Sequence, residues 1–137
     1  MKVLIIGGVA AGATTAARLR RLNKDVEMIV FEKGNYVSYA NCGLPYYVSG
    51  EIQDKDDLLL MTPQLFYDRF QIDVRVASEV TAIHPEEKTV SVKNLETGEE
   101  FEESYDKLIL SPGAKPTQPR LPGVGLDKLF TLRTVED

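Results

Sequence analysis

Residues 2–12 read KVLIIGGVAAG, and this stretch decides the fold. Lys2 to Ile6 is a short apolar run, partly β-branched, that stops at Gly7-Gly8, the pattern of a buried strand. Residues 10–22, AAGATTAARLRRL, follow with helix formers and no proline. Gly12, Ala16, Leu19 and Leu22 recur at i, i+4, i+7 and i+10, an apolar stripe of helical period. Residues 26–31, VEMIVF, form a second apolar run that ends at Glu32-Lys33-Gly34. Strand, helix and strand within roughly 30 residues predict two parallel strands joined by a right-handed crossover.

The strand–helix junction reads Gly7-Gly8-Val9-Ala10-Ala11-Gly12. It follows the dinucleotide fingerprint G-x-G-x-x-G, with Val9 at the middle glycine, where close backbone approach is usual. Such a loop turns backbone N–H groups and the positive end of a helix toward a pyrophosphate. Glu32 ends the next strand 20 positions after Gly12. A carboxylate there can accept both hydroxyls of an unphosphorylated ribose. The plainer reading is a tight turn whose small residues serve packing; the spacing and context favour dinucleotide binding.

The whole chain sets the outer limits. Its 137 residues suit one domain with a real core, and 43% hydrophobic with 27% charged residues reads as globular. Sixteen basic against 21 acidic residues leave a net charge of −5. That argues against general nucleic-acid binding, which needs a basic face. No apolar run approaches the roughly 18 residues of a membrane span, and MKVLIIGG is too short for a signal-peptide core. One cysteine, Cys42, excludes an internal disulfide, and an unpaired thiol fits a reducing cytoplasm. With one histidine, His84, a His/Cys metal cluster is not expected, and His84 reads as a surface turn residue.

Beyond the second strand, residues 34–50 are turn-rich. Thr62-Pro63 opens a helix over 62–70, an N-cap followed by proline at the first helical position. The period then changes to two: 72–76, 79–84, 89–94 and 100–105 read as strands of an antiparallel meander. Pro85-Glu86-Glu87 and Glu96-Thr97-Gly98 are its joints. Glu99, Glu100, Glu102 and Glu103 read as a solvated edge. Residues 107–110, KLIL, resume the buried parallel character and end at Ser111-Pro112-Gly113-Ala114. The proline-containing tail reads as loop, with a short strand at Leu129–Leu132.

Two further patterns carry chemistry. In Ser38-Tyr39-Ala40-Asn41-Cys42-Gly43-Leu44-Pro45, Asn41 is a good N-cap residue and Pro45 fits a helix start. A helix beginning around Cys42 would set the sulfur in the positive end of its dipole. That favours the thiolate, the attacking species in disulfide exchange. Lone cysteines also serve as small buried hydrophobes, and the segment alone leaves both readings open. On the first helix, Thr14, Arg18 and Arg21 are spaced i, i+4, i+7 on the face opposite the apolar stripe. Two guanidiniums beside a hydroxyl suit a phosphate-bearing ligand, and a solvated helix face is the alternative.

Taken together, GGVAAG, FEK, SYANCGLPYY and YDKLILSPGA resemble the flavin-dependent pyridine nucleotide–disulfide reductases. The cysteine segment is most similar to their single-cysteine, coenzyme A-disulfide reductase branch. The likeness covers essentially the whole chain. It implies an α/β fold: a FAD-binding, Rossmann-like parallel sheet with an inserted antiparallel β-meander. It also implies that the loop Gly7 to Gly12 holds the FAD pyrophosphate, Glu32 the ribose, and Lys33 the adenine end. Val80 would hold the adenine through its backbone. Ser111-Pro112-Gly113 is similar to the family's second flavin-contacting turn, and Arg133 to an arginine near the flavin. Cys42 would be the redox cysteine, with Asn41 and Ser38 lining its pocket. Thr14, Arg18 and Arg21 match positions that bind coenzyme A, whereas Phe70 stands where a further basic residue is expected, with Arg69 beside it.

The implied activity is NAD(P)H-driven reduction of a coenzyme A disulfide or a persulfide by a cytoplasmic homodimer. NADH oxidases and peroxidases that cycle a cysteine sulfenic acid are close cousins, and a nucleotide-binding module with an inert cysteine is the non-catalytic alternative. In the family, an NAD(P)H domain, a second FAD segment and a dimerisation domain follow. The 137 residues therefore correspond to the first FAD segment, which is not expected to turn over NAD(P)H alone.

Overall fold

The computed structural model describes all residues except 118, 125, 126 and 128. In chain order the elements are β1 (Lys2–Ile6), α1 (Ala10–Leu22), β2 (Glu27–Phe31), a 3-10 turn (Asn41–Gly43) and α2 (Leu44–Val48). A second 3-10 turn (Lys55–Leu58), α3 (Pro63–Phe70) and β3 (Asp73–Arg75) follow. Then come β4 (Ser78–His84), β5 (Thr89–Asn94), β6 (Glu100–Ser104) and β7 (Lys107–Leu110). Four strands form one parallel sheet in the order β3-β2-β1-β7. β4, β5 and β6 form a separate antiparallel sheet. The fold is α/β with an inserted meander, as expected.

β1 and β2 are apolar on both faces because both faces are covered. Successive side chains of a strand point to opposite sides. Val3, Ile5, Met28 and Val30 face α1 and join Ala13, Ala16 and Phe66. Leu4, Ile29 and Phe31 face the meander and meet Val90, Val92 and half-buried Phe101. The meander thus occupies the side where a repeating βαβ unit would place another helix. A third cluster, Tyr39, Leu44 and Leu58, anchors the cysteine segment, and half-buried Val9 packs against it.

Three sequence expectations are corrected. Residues 73–75 do not belong to the meander: β3 pairs parallel with β2, through Ile29, Val30 and Phe31. The stripe of α1 ends at Leu19, and Leu22 is 66% exposed. Leu129–Leu132 forms no strand; its three large apolar side chains lie exposed, beside no partner strand. The helix at 63–70 forms as read, its Thr62 hydroxyl accepting from the Leu65 N–H at 3.2 Å. Arg20 ties α1 to that helix, donating from Nε to the Phe70 carbonyl and from Nη2 to the Gln71 carbonyl. His84 is half-buried at the end of β4, its Nε2 2.9 Å from the Ser91 hydroxyl. Among the described residues no helix is long and apolar enough to cross a membrane.

Glu103 also departs from its reading as part of a solvated edge. It pairs with the Lys2 ammonium of β1 and, at 3.0 Å, with the Arg75 guanidinium of β3. Arg75 in turn lies over the Phe31 ring, 5.5 Å from its centroid. Burial alone would raise the Glu103 carboxyl, but the two cations outweigh it and hold it below its ordinary 4.5. A carboxyl depressed in the folded state contributes its stability above the unfolded value and loses it as pH falls through the folded one. Glu103→Gln is therefore expected to lower stability at neutral pH and to flatten the acid limb of the stability curve below about pH 4.5. Urea midpoints between pH 3 and 7 check this; parallel wild-type and variant curves would refute it.

Candidate functional site

The carboxyl ends of β1, β2 and β7 converge on one cleft of about 600 Å3. In open parallel sheets ligands sit at such ends, where the strand order reverses, here between β1 and β7. Gly7 has φ +94°, and a Cβ there would stand 2.1 Å from the Ser111 carbonyl oxygen. Gly12 is buried at the base of α1, and a Cβ on it would lie 1.7 Å from the Gly7 carbonyl oxygen. The Ser111 hydroxyl is 2.8 Å from the Ile6 carbonyl and 3.0 Å from that of Gly7, so its single proton can serve either. These contacts fasten the loop to the end of β7.

The loop leaves an open helix end. Val9 is the N-cap of α1, no side chain caps the helix, and its first turn carries no acid. The free N–H groups of that turn and the helix dipole face the cleft without a negative partner from the protein. An anion there would meet donors already aimed. Glu32 closes the opposite wall. Its Oε2 accepts from the Gly8 N–H at 2.7 Å and its Oε1 from the Gly34 N–H at 2.8 Å. Each oxygen keeps one lone pair, and the fixed carboxylate can take two hydroxyls.

Of the residues singled out by sequence, Gly7, Val9, Ala10, Ala11, Glu32, Lys33, Asn41, Val80, Ser111, Pro112, Gly113 and Arg133 all line this cleft. Gly8 and Gly12 lie behind it as backbone supports. Arg133 braces the Ser111–Ala114 turn through its Nε, which donates to the Ala114 carbonyl at 3.2 Å. Thr14, Arg18 and Arg21 share the exposed face of α1, away from the cleft. Tyr39, Ser78, Glu79, Lys115 and Thr134 also line the cleft and were not singled out by sequence.

A sequence profile described as Pyridine nucleotide-disulphide oxidoreductase matches residues 1–137. The chain belongs to the pyridine nucleotide-disulphide oxidoreductase family. Coenzyme A disulfide reductase of Staphylococcus aureus (strain MRSA252) is 50% identical over 136 residues, covering 99% of this chain and 30% of the relative. The crystal structure of reduced Bacillus anthracis CoADR-RHD superposes with a TM-score of 0.93 at 52% identity, over 98% of this chain and 24% of that one. A NAD-dependent persulfide reductase from A. fulgidus gives a TM-score of 0.91 at 38% identity, over 99% of this chain and 25% of that one. The chain thus spans about 30% of the length of the curated relatives it matches.

In this member of the oxidoreductase family the cysteine segment is bound to the glycine loop between β1 and α1. The Ser38 N–H donates to the Gly8 carbonyl at 2.9 Å, and Tyr39 bridges to Leu59. Ser38 sits at φ +48°, a left-handed conformation that turns the chain toward Asn41. The helix start expected at Cys42 takes a different form. Ala40, not Asn41, is the N-cap of the Asn41–Gly43 turn, and Gly43 precedes the five-residue α2 with Pro45 in its first turn. Gly43 is tightly packed, since a Cβ there would meet Leu58 Cδ2 at 2.6 Å. Among the described residues the asparagine side chain has no hydrogen-bond partner, and Asn41 lines the cleft. Cys42 next to it is a free, exposed cysteine.

Proposed function

We propose that these residues form the FAD-binding segment of an NAD(P)H-dependent disulfide reductase that acts on coenzyme A disulfide or a related persulfide. The observation carrying this reading is one cleft that gathers the open end of α1, the carboxylate of Glu32, the Ser111–Gly113 turn and Asn41, the residue that precedes exposed Cys42. Those residues fit FAD: small residues at 7 and 12 let the backbone approach a pyrophosphate, and Glu32 suits the ribose. Lys33 and Val80 would flank the adenine, and Arg133 would stand near the flavin end. FAD held there would supply the two electrons, taken from NAD(P)H, that reopen a disulfide.

The chain's own part is nucleophilic. The Cys42 thiolate attacks one sulfur of the substrate disulfide, forming Cys42–S–S–R and releasing RS⁻. Two electrons and a proton then return Cys42 to its thiolate and release the second group as RSH. Ser38 and Asn41 would border the reacting sulfurs. Thr14, Arg18 and Arg21 would hold the phosphates of a coenzyme A moiety along the exposed face of α1. A complete enzyme of this kind would be a homodimer whose NAD(P)H domain lies on a separate segment. That organisation accords with relatives about three times as long.

Intact-protein mass spectrometry of the complete enzyme after exposure to coenzyme A disulfide is the test. A mixed disulfide of coenzyme A on Cys42, removed by NAD(P)H, is the expected result. A Cys42 sulfenic acid after peroxide, with no coenzyme A adduct, would instead favour oxidase or peroxidase chemistry. The latter reading has a likeness behind it: a water-forming NADH oxidase from Lactobacillus brevis matches with a TM-score of 0.88 at 29% identity.

A further inference from the structure

Tyr39 is only 8% exposed as a residue, and among the described residues its hydroxyl bonds no protein group. None of their fully buried side-chain polar atoms lacks a partner, so this oxygen is the part of the side chain that opens to the cleft. The side chain lines the 600 Å3 cleft and also a second, adjoining one of about 240 Å3. Glu32, Lys33, Glu79 and Thr134 are shared by the two, so Tyr39 stands on the seam between them. Its ring is fixed by the cluster with Leu44 and Leu58, and its backbone by the bridge to Leu59. The polar tip therefore has a set position with nothing of the protein bonded to it.

Its surroundings define what it would meet. Burial, and then the carboxylates of Glu136 and Glu32, push the phenol up from its ordinary value, with Arg133 opposing them. The group stays neutral and protonated through the physiological range, and is a donor there. Glu32 accepts from the Gly8 and Gly34 N–H groups and keeps a lone pair on each oxygen, Glu136 accepts from the Asn35 N–H at 2.9 Å, and neither carboxylate bonds the Tyr39 hydroxyl. The free space at the seam is the space the dinucleotide would fill.

We infer that the Tyr39 hydroxyl is a ligand contact, donating a hydrogen bond to an oxygen of the adenosine-diphosphate half of the bound dinucleotide. This rests on the FAD-binding reading above and adds to it a specific donor. Tyr39→Phe keeps the ring and its packing and removes only the donor. In the complete protein, stripped of flavin, the variant is expected to bind FAD, and ADP as a probe of the same half, about tenfold more weakly. The thermal midpoint of the flavin-free protein should not change. Equal affinities for both proteins would overturn the inference, as would a weakened affinity matched by a lowered flavin-free midpoint. Failure of the wild-type protein to bind FAD at all would instead overturn the underlying reading.

Discussion

Gly12→Ala is expected to disrupt the proposed nucleotide site and to cost much of the protein's stability. In a helix, replacing glycine by alanine is worth roughly 1 kcal/mol in favour of alanine. Here the added carbon would stand 1.7 Å from the Gly7 carbonyl oxygen and 2.8 Å from the Ser111 hydroxyl oxygen. The first obstacle is backbone, held in place by Gly7's own contacts, so it cannot swing aside. Relief requires α1 to lift from β1, opening the core that Ala13 and Ala16 seal. We expect a loss of about 3–5 kcal/mol, well beyond the propensity gain, together with loss of FAD binding. Urea denaturation and a flavin titration measure the two effects. A variant with unchanged midpoint and affinity would mean that the helix and loop do not approach as closely as described.

Cys42→Ser is expected to separate function from fold. Cys42 is exposed and forms no disulfide, so the substitution should change stability by no more than about 0.5 kcal/mol. A serine hydroxyl is not ionised at neutral pH and does not exchange with disulfides. In the complete enzyme, reduction of coenzyme A disulfide should fall by at least about a thousandfold. Reduction of the bound flavin by NAD(P)H should proceed as before. The pair of measurements is informative because a general folding defect would lower both. Retention of disulfide reduction by the variant would remove Cys42 from the mechanism.

What could be read from the sequence follows how local each cause is. β1, α1 and β2 are set by neighbours: a short apolar run, a glycine turn, a helical stripe. Thr62-Pro63 is likewise a local signal, and it formed as read. β3 was misassigned because three residues, Asp73-Val74-Arg75, alternate just as an antiparallel strand would. Their partner lies some forty positions earlier, so only assembly reveals a parallel pairing. Glu103 was hidden for the same reason, its cations coming from β1 and β3. In the candidate site, the glycines and the carboxylate of Glu32 announce themselves by spacing. Tyr39 does not, because the clefts it lines are completed by Ser111, Arg133 and Glu136, seventy or more positions away. Asn41 is legible through the family resemblance, which puts it beside Cys42, whereas its local capping signal misleads, since Ala40 holds that role.

The pairing of β1 with β7 has a consequence for how the molecule holds together. Val3 stands opposite Lys107, so this seam closes a loop of about a hundred residues. By chain statistics alone such a closure costs about 4 kcal/mol, from (3/2)RT ln n. The cleft straddles the seam, with the Gly7–Gly12 loop on one lip and the Ser111–Gly113 turn on the other. A ligand that touches both lips acts as a cross-link between the two ends of the fold. If it binds only when the seam is shut, it opposes opening by RT ln(1 + L/Kd), where L is its free concentration, a contribution that grows as L rises. A dinucleotide bound as proposed would in that sense be a structural rivet as well as a reagent.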